Sequence, residues 1–126
     1  VLNTPSTFSV YILHLVCQWM IDSGGLNFFE QQSIKHSNLL YEQLESYSEK
    51  LILPVSKFAR SRSNIVFNFV DNNLEKEFLS EAGKQNIVGI KGHRSVGGIR
   101  ISLYNSVDSE MVDYISEFIS KFFKKI

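Results

Sequence analysis

Asn64-Ile65-Val66-Phe67-Asn68-Phe69-Val70 reads as a β-strand with one apolar face. Ile65, Phe67 and Phe69 alternate with Asn64, Val66 and Asn68, the period of two that sends neighbouring side chains to opposite sides of a sheet. Downstream, Asn72 followed by Glu75 forms a capping pair for a helix reaching about residue 84, with Leu74, Phe78 and Ala82 on its inner face. Ile87-Val88-Gly89-Ile90 reads as a short strand. A further strand leaves the basic, glycine-rich segment that follows: Ile99, Ile101 and Leu103 form one face, and Arg100, Ser102 and Tyr104 the other. The last helix covers about residues 108 to 123. Asp108 and Glu110 open it and Lys121, Lys124 and Lys125 close it, matching the helix dipole, and Met111, Ile115, Phe118 and Phe122 form its apolar stripe.

Upstream of the strand lies the polar connection Arg60-Ser61-Arg62-Ser63, and before that the short strand Leu51-Ile52-Leu53, stopped by Pro54. Leu40, Leu44 and Tyr47 share one face of a helix over about residues 26 to 47. The first helix covers residues 7 to 22, with start signals at Pro5 and at Ser6 or Thr7 and a stop at Gly24-Gly25. Its apolar residues run nearly all the way round, which predicts cover on most sides. It is too short to span a membrane convincingly, and it carries His14 and Gln18. The order α-α-β-β-α-β-β-α defines an α+β fold, a small mostly antiparallel sheet with helices on one face, preceded by a long apolar helix.

The 126 residues suit one domain, 1–126, and 44% hydrophobic with 21% charged residues is ordinary for a globular protein. Thirteen basic and thirteen acidic residues cancel, so no global field recruits nucleic acid or a membrane surface. Any anion site must be local and its ligand small. One cysteine, Cys17, excludes an internal disulfide and a cysteine-based zinc cluster. Its apolar surroundings predict a buried structural thiol. Nothing in the opening residues resembles a signal peptide, and the cytoplasm is the expected location. A first residue of Val rather than Met points to a piece of a longer chain.

Within that balanced composition, Lys91-Gly92-His93-Arg94-Ser95-Val96-Gly97-Gly98-Ile99-Arg100 gathers four potential cations and three glycines. Guanidinium and imidazole groups on a glycine-rich backbone suit phosphate or carboxylate. The bland alternative is a solvated basic loop. His14 and His36 are expected to be packing or surface residues, without metal-ligand spacing. Arg60 and Arg62 could assist an anion site, but a solvated loop is the commoner place for such residues and is the expectation. Tyr104 and Ser102 share the face of Arg100, where they either orient it or simply cover the strand.

Asn3-Thr4-Pro5-Ser6-Thr7-Phe8 and Gly92-His93-Arg94-Ser95-Val96-Gly97-Gly98-Ile99-Arg100, the latter leading into Ser102-Leu103-Tyr104-Asn105, settle the resemblance. With Trp19, Gly24-Gly25-Leu26 and Arg62-Ser63-Asn64-Ile65-Val66-Phe67 between them, the chain resembles the C-terminal part of the phosphoserine aminotransferase family over essentially its whole length. The resemblance implies the small domain of a fold-type I pyridoxal-phosphate enzyme that acts as a homodimer. Such an enzyme exchanges an amino group between glutamate and 3-phosphohydroxypyruvate, giving phosphoserine and 2-oxoglutarate in serine biosynthesis. Pyridoxine biosynthesis is a second implied role. The helix at about residues 7 to 23 would be interdomain, and the large cofactor domain would be absent from this chain.

By the same resemblance, Asn3 and Thr4 match residues that reach the cofactor phosphate. His93 and Arg94 match those binding the substrate's side-chain anion, and Arg100 the arginine that clamps the α-carboxylate. Ser6 stands where the family usually has a second proline. The Schiff-base lysine would lie upstream, so this chain taken alone is expected to be inactive, with no catalytic residue and no metal site. Two other classes stay open on the residues themselves. One is a stand-alone, non-catalytic module sensing a phosphorylated or dicarboxylate metabolite; the other is an interaction domain docking through its first helix.

Overall fold

The computed structural model describes residues 4–126. The chain divides into two compact units, Val1–Gln32 and Ser33–Ile126.

The first unit holds α1 (Thr7–Asp22) and the opening turns of α2 (Gly25–Glu45). Ser6 occupies the cap position of α1, but its hydroxyl meets Ser9 Oγ at 2.8 Å and makes no bond to the helix backbone. Ser23 closes the helix: both its N–H (2.9 Å) and its hydroxyl (2.7 Å) donate to the Trp19 carbonyl. Trp19 and Phe29 then approach with ring centroids 5.1 Å apart, and Phe28 meets Phe29 edge-on. The expected cover on α1 is not found, since none of its residues is buried. Phe8, Leu13 and Ile21 are more than 60% exposed. Cys17 is exposed too, which corrects the expectation of a buried thiol: an apolar helix places a cysteine inside only where another surface covers that side.

In the second unit, β1 (Leu51–Ile52), β2 (Asn64–Phe69) and β3 (Ile99–Ser102) form an antiparallel sheet in that order. Leu51 pairs with Phe69, and Asn64 and Val66 lie opposite Ser102 and Arg100. Strand alternation puts Leu51, Ile65, Phe67, Phe69, Ile99 and Ile101 on the buried face. Against them pack Leu40 and Leu44 of α2, Phe78 and Ala82 of α3 (Asn72–Lys84), and Val112, Ile115, Phe118, Ile119, Phe122 and Phe123 of α4 (Ser109–Lys125). Phe78 sits at the centre of this cluster, 5.0 Å from the rings of both Phe118 and Phe122 and 5.3 Å from Phe69. Each ring removed from water contributes about 1.5–3 kcal/mol, and edge-on packing adds to that. The core is aromatic, and it fixes the angle at which the sheet presents its other face.

Four local expectations need correction. The α3 cap is Asp71, whose carboxylate accepts the Asn73 N–H at 2.8 Å, one residue ahead of the expected Asn72. The segment 87–90 is not a strand. Gly89 turns to φ 76°, and only Lys91 bridges to Ile99, so the sheet has three strands. Met111 is 56% exposed, and Val112 takes the inward position of the first turn of α4. Helix α2 ends at Glu45, after which Tyr47 in the following turn stacks on Phe123 at 4.1 Å. Asp108, expected within the first turn of α4, is its cap and accepts the Met111 N–H at 2.9 Å.

Buried and half-buried polar groups tie α2 to α4. The Gln43 amide donates to Ser116 O and Ser120 Oγ, both at 2.7 Å. His36, 3% exposed, places Nε2 3.0 Å from Ser109 Oγ. Burial, and then Lys35, push the His36 pKa below its ordinary 6.5, against the opposing pull of Asp113 and Asp108.

Candidate functional site

The basic segment is a closed loop rooted on the sheet. Arg100 N–H donates to Ile90 O at 2.7 Å and Gly92 N–H to Gly98 O at 2.8 Å, which pins both ends. At the tip the His93 carbonyl accepts from Val96 (2.9 Å) and Gly97 (2.7 Å), making one tight turn. Two glycines are required by contact. A Cβ on Gly92 would collide with Gly97 O. A Cβ on Gly98, itself at φ 71°, would collide with Asn68 Oδ1 and come within 2.9 Å of Phe67 O. The loop is therefore bolted against the backbone of β2.

On this frame Lys91, His93, Arg94 and Arg100 are all exposed. Strand alternation delivers Arg100 to the face opposite the core, as expected: Ile99 and Ile101 on either side of it are buried. Among the described residues, the guanidinium groups of Arg94 and Arg100 have neither a hydrogen bond nor an ion pair. The imidazole of His93 is held by Ser95, with Nδ1 to Oγ at 2.6 Å. Of the two readings open for Ser102 and Tyr104, covering the strand fits better than orienting Arg100. Ser102 donates to Asn64 Oδ1 at 3.1 Å, and the Tyr104 ring is 70% exposed.

Arg60 shows the opposite arrangement and corrects its expected place in a solvated loop. Its side chain is 14% exposed and pairs with Glu45 at 2.6 Å, and its guanidinium lies 4.8 Å from the centre of the Tyr41 ring. Lys57 also pairs with Glu45, at 2.9 Å. The hydrogen bond from Arg60, then that from Lys57, hold the Glu45 carboxyl below its ordinary 4.5. These three groups line a polar cleft of about 300 Å³ with Tyr41, Ser61 and Arg62. The inner cation of this cleft, Arg60, is already paired with Glu45. A second, apolar groove of about 480 Å³ runs between Val88, Ile101, Leu103, Met111, Tyr114 and Ile115. Neither includes His93, Arg94 or Arg100, all of which lie on open surface.

Of the other anticipated contacts, Thr4 is exposed ahead of α1 in the first unit, and Asn3 lies outside the described residues. Sequence reasoning missed Ser95, although a serine two residues after a histidine in a glycine-rich turn is well placed to reach the ring. It also missed Asn68, which lies on the face of β2 opposite the core and whose Oδ1 sits where a Cβ on Gly98 would fall. Among the described residues, no helix is long and apolar enough to cross a membrane.

Lys91, His93, Arg94 and Arg100 are thus exposed on a loop and strand at one edge of a small α+β sheet, and comparison places the chain. Residues 2–115 match the family described as aminotransferase class-V, so the chain belongs to that family. It is 42% identical over 122 residues to a probable phosphoserine aminotransferase of Dictyostelium discoideum, covering 95% of this chain and 33% of that protein. It is 39% identical over 124 residues to phosphoserine aminotransferase of Campylobacter lari, covering 98% and 35%. The solved phosphoserine aminotransferase from Bacillus circulans subsp. alkalophilus superposes with a TM-score of 0.93 at 35% identity, covering 98% of this chain and 34% of that one. The pyridoxal-phosphate-bound enzyme from Trichomonas vaginalis gives 0.85 at 27% identity, over 94% and 34%. The chain thus spans about a third of the length of the curated relatives it matches.

Proposed function

We propose that this chain is the substrate-reading part of a pyridoxal-phosphate-dependent phosphoserine transaminase. The reaction exchanges the amino group of L-glutamate with the keto oxygen of 3-phosphohydroxypyruvate, giving 2-oxoglutarate and O-phosphoserine. The observation that carries this reading is the pair of exposed, unpaired guanidinium groups on a fixed frame, one on β3 and one on the loop.

The two positions suit two ends of a substrate. Arg100 sits on a strand between buried isoleucines and offers a planar fork to the α-carboxylate that every substrate carries. His93 and Arg94 sit at the tight turn and receive the distal anion, phosphate in one substrate and carboxylate in the other. Gripping both ends fixes the Cα–H bond in one orientation, which is the main contribution binding residues make to such chemistry. Serine biosynthesis is the proposed setting, with pyridoxine biosynthesis as a second one, in a cytoplasmic homodimer. Helix α1, with no buried residue of its own, is proposed to lie between this part and a larger cofactor domain.

Pyridoxal phosphate, when bound, supplies the electron sink for amino transfer. The described residues do not by themselves build its site. The lysines lining clefts are committed elsewhere, Lys57 to Glu45, Lys121 to Glu117 and Lys125 to Glu77. Only the hydroxyl of Thr4 is offered here, as a donor to the cofactor phosphate, with Asn3 proposed beside it.

The test is Arg94→Ala in the cofactor-bearing enzyme that contains this chain. The expected result is a loss in kcat/KM on the order of a hundredfold for phosphorylated substrate, with a small effect on substrates lacking a distal anion. An Arg94→Ala enzyme with unchanged kcat/KM for phosphorylated and unphosphorylated substrates would remove His93 and Arg94 from the site.

A further inference from the structure

Ser95 approaches the His93 ring twice. Its hydroxyl oxygen lies 2.6 Å from Nδ1, and its backbone N–H points at the same nitrogen from 3.3 Å. A backbone N–H can only donate, so Nδ1 is the accepting nitrogen, and the short hydroxyl contact is completed by the serine proton. In a neutral imidazole with Nδ1 accepting, the single ring proton is on Nε2. The turn that enforces this is rigid, because the His93 carbonyl is itself fixed by the Val96 and Gly97 N–H groups.

We propose that Ser95 is a positioning residue that holds His93 as the Nε2–H tautomer, presenting a directed hydrogen-bond donor to the distal anion of the substrate. This rests on the functional reading above. It deepens that reading by dividing labour within the loop: Arg94 supplies permanent charge, and His93 supplies a donor that needs no charge. One fixed cation plus one neutral donor accommodates a phosphate and a carboxylate, which differ in charge, more evenly than two cations would. A ring flipped to the other tautomer would instead face the anion with a lone pair, which repels it.

Two measurements on the cofactor-bearing enzyme test the proposal. With nitrogen-15-labelled imidazole in alkaline solution, and His93→Gln identifying the resonances, Nδ1 of His93 is expected to appear as a pyridine-type nitrogen and Nε2 as a pyrrole-type one. Ser95→Ala removes the 2.6 Å hydroxyl contact and keeps only the longer backbone N–H one, so the other tautomer should become partly populated, and Ser95→Thr should restore the wild-type pattern. In kinetics, Ser95→Ala is expected to raise KM for substrates with a distal anion about three- to tenfold, the range for one neutral hydrogen bond, with kcat little changed and Ser95→Thr recovering most of the loss. A proton found on Nδ1 in the wild type overturns the proposal, and so does a wild-type KM in Ser95→Ala. If His93→Gln also keeps a wild-type KM, the functional reading falls with it; if only the tautomer result fails, that reading stands.

Discussion

Gly98→Ala tests the way the loop is bolted to the sheet. Gly98 is buried at φ 71°, where an L-residue pays about 1–2 kcal/mol for the left-handed conformation. The new methyl would also lie 2.9 Å from the Phe67 carbonyl and overlap Asn68 Oδ1. The Asn68 amide can rotate away, but Phe67 is fully buried in the aromatic core, and its strand is paired with β3. Shifting that backbone adds a further 1–3 kcal/mol, the range for overpacking. The total is about 2–5 kcal/mol, a large share of the stability of an ordinary domain. Gly97→Ala is the matched control: its φ of 78° carries the same conformational cost, while nothing lies within 4 Å of the added carbon. Urea unfolding of both variants should therefore place Gly98→Ala below Gly97→Ala by about 1–3 kcal/mol at unchanged m-value. Equal stabilities would mean that the loop does not press on β2 and that Arg94 has no rigid frame beneath it.

Two pH effects follow from groups remote from the loop. Because burial lowers the folded-state pKa of His36 below 6.5, the unfolded chain binds more protons just under that pH. Stability is then unaffected well above pH 6.5 and declines as the pH falls below it; His36→Gln should flatten that slope in denaturant titrations at stepped pH. Glu45 works in the acid range, since its folded-state pKa lies below 4.5 through Arg60 and then Lys57. Its contribution is complete above that value and lost as the pH falls through the folded value, so Arg60→Ala should reduce the loss of stability on acidification. An unaltered acid limb in that variant would show that the pair with Glu45 does little in solution.

The sheet and its burial pattern were legible because alternation is a strict rule. Ile65, Phe67 and Phe69 on β2, and Ile99 and Ile101 on β3, are the buried sets that a period of two requires, and Arg100 follows on the opposite face. Helix ends were less legible. Asp71 and Asn72 are both good caps, and backbone dihedrals decide between them. The segment at 87–90 has strand-like composition, but Gly89 takes a positive φ, which only the folded chain reveals. The fate of Arg60 depended on Glu45 and Tyr41, 15 and 19 positions away in sequence, and no local pattern encodes such a meeting. The candidate site was legible as a list of cations. Which of them would be left unpaired, and that Ser95 would hold His93, were matters of tertiary structure.

The central claim is that recognition is split, with Arg100 gripping the constant carboxylate and the loop reading the variable end. Steady-state kinetics of Arg100→Ala in the cofactor-bearing enzyme tests it most directly, with glutamate and the phosphorylated keto acid measured side by side. Losing a charged, bidentate partner should lower kcat/KM by on the order of a hundredfold or more for both substrates alike. A loss confined to the phosphorylated substrate, or no loss for either, would contradict the claim.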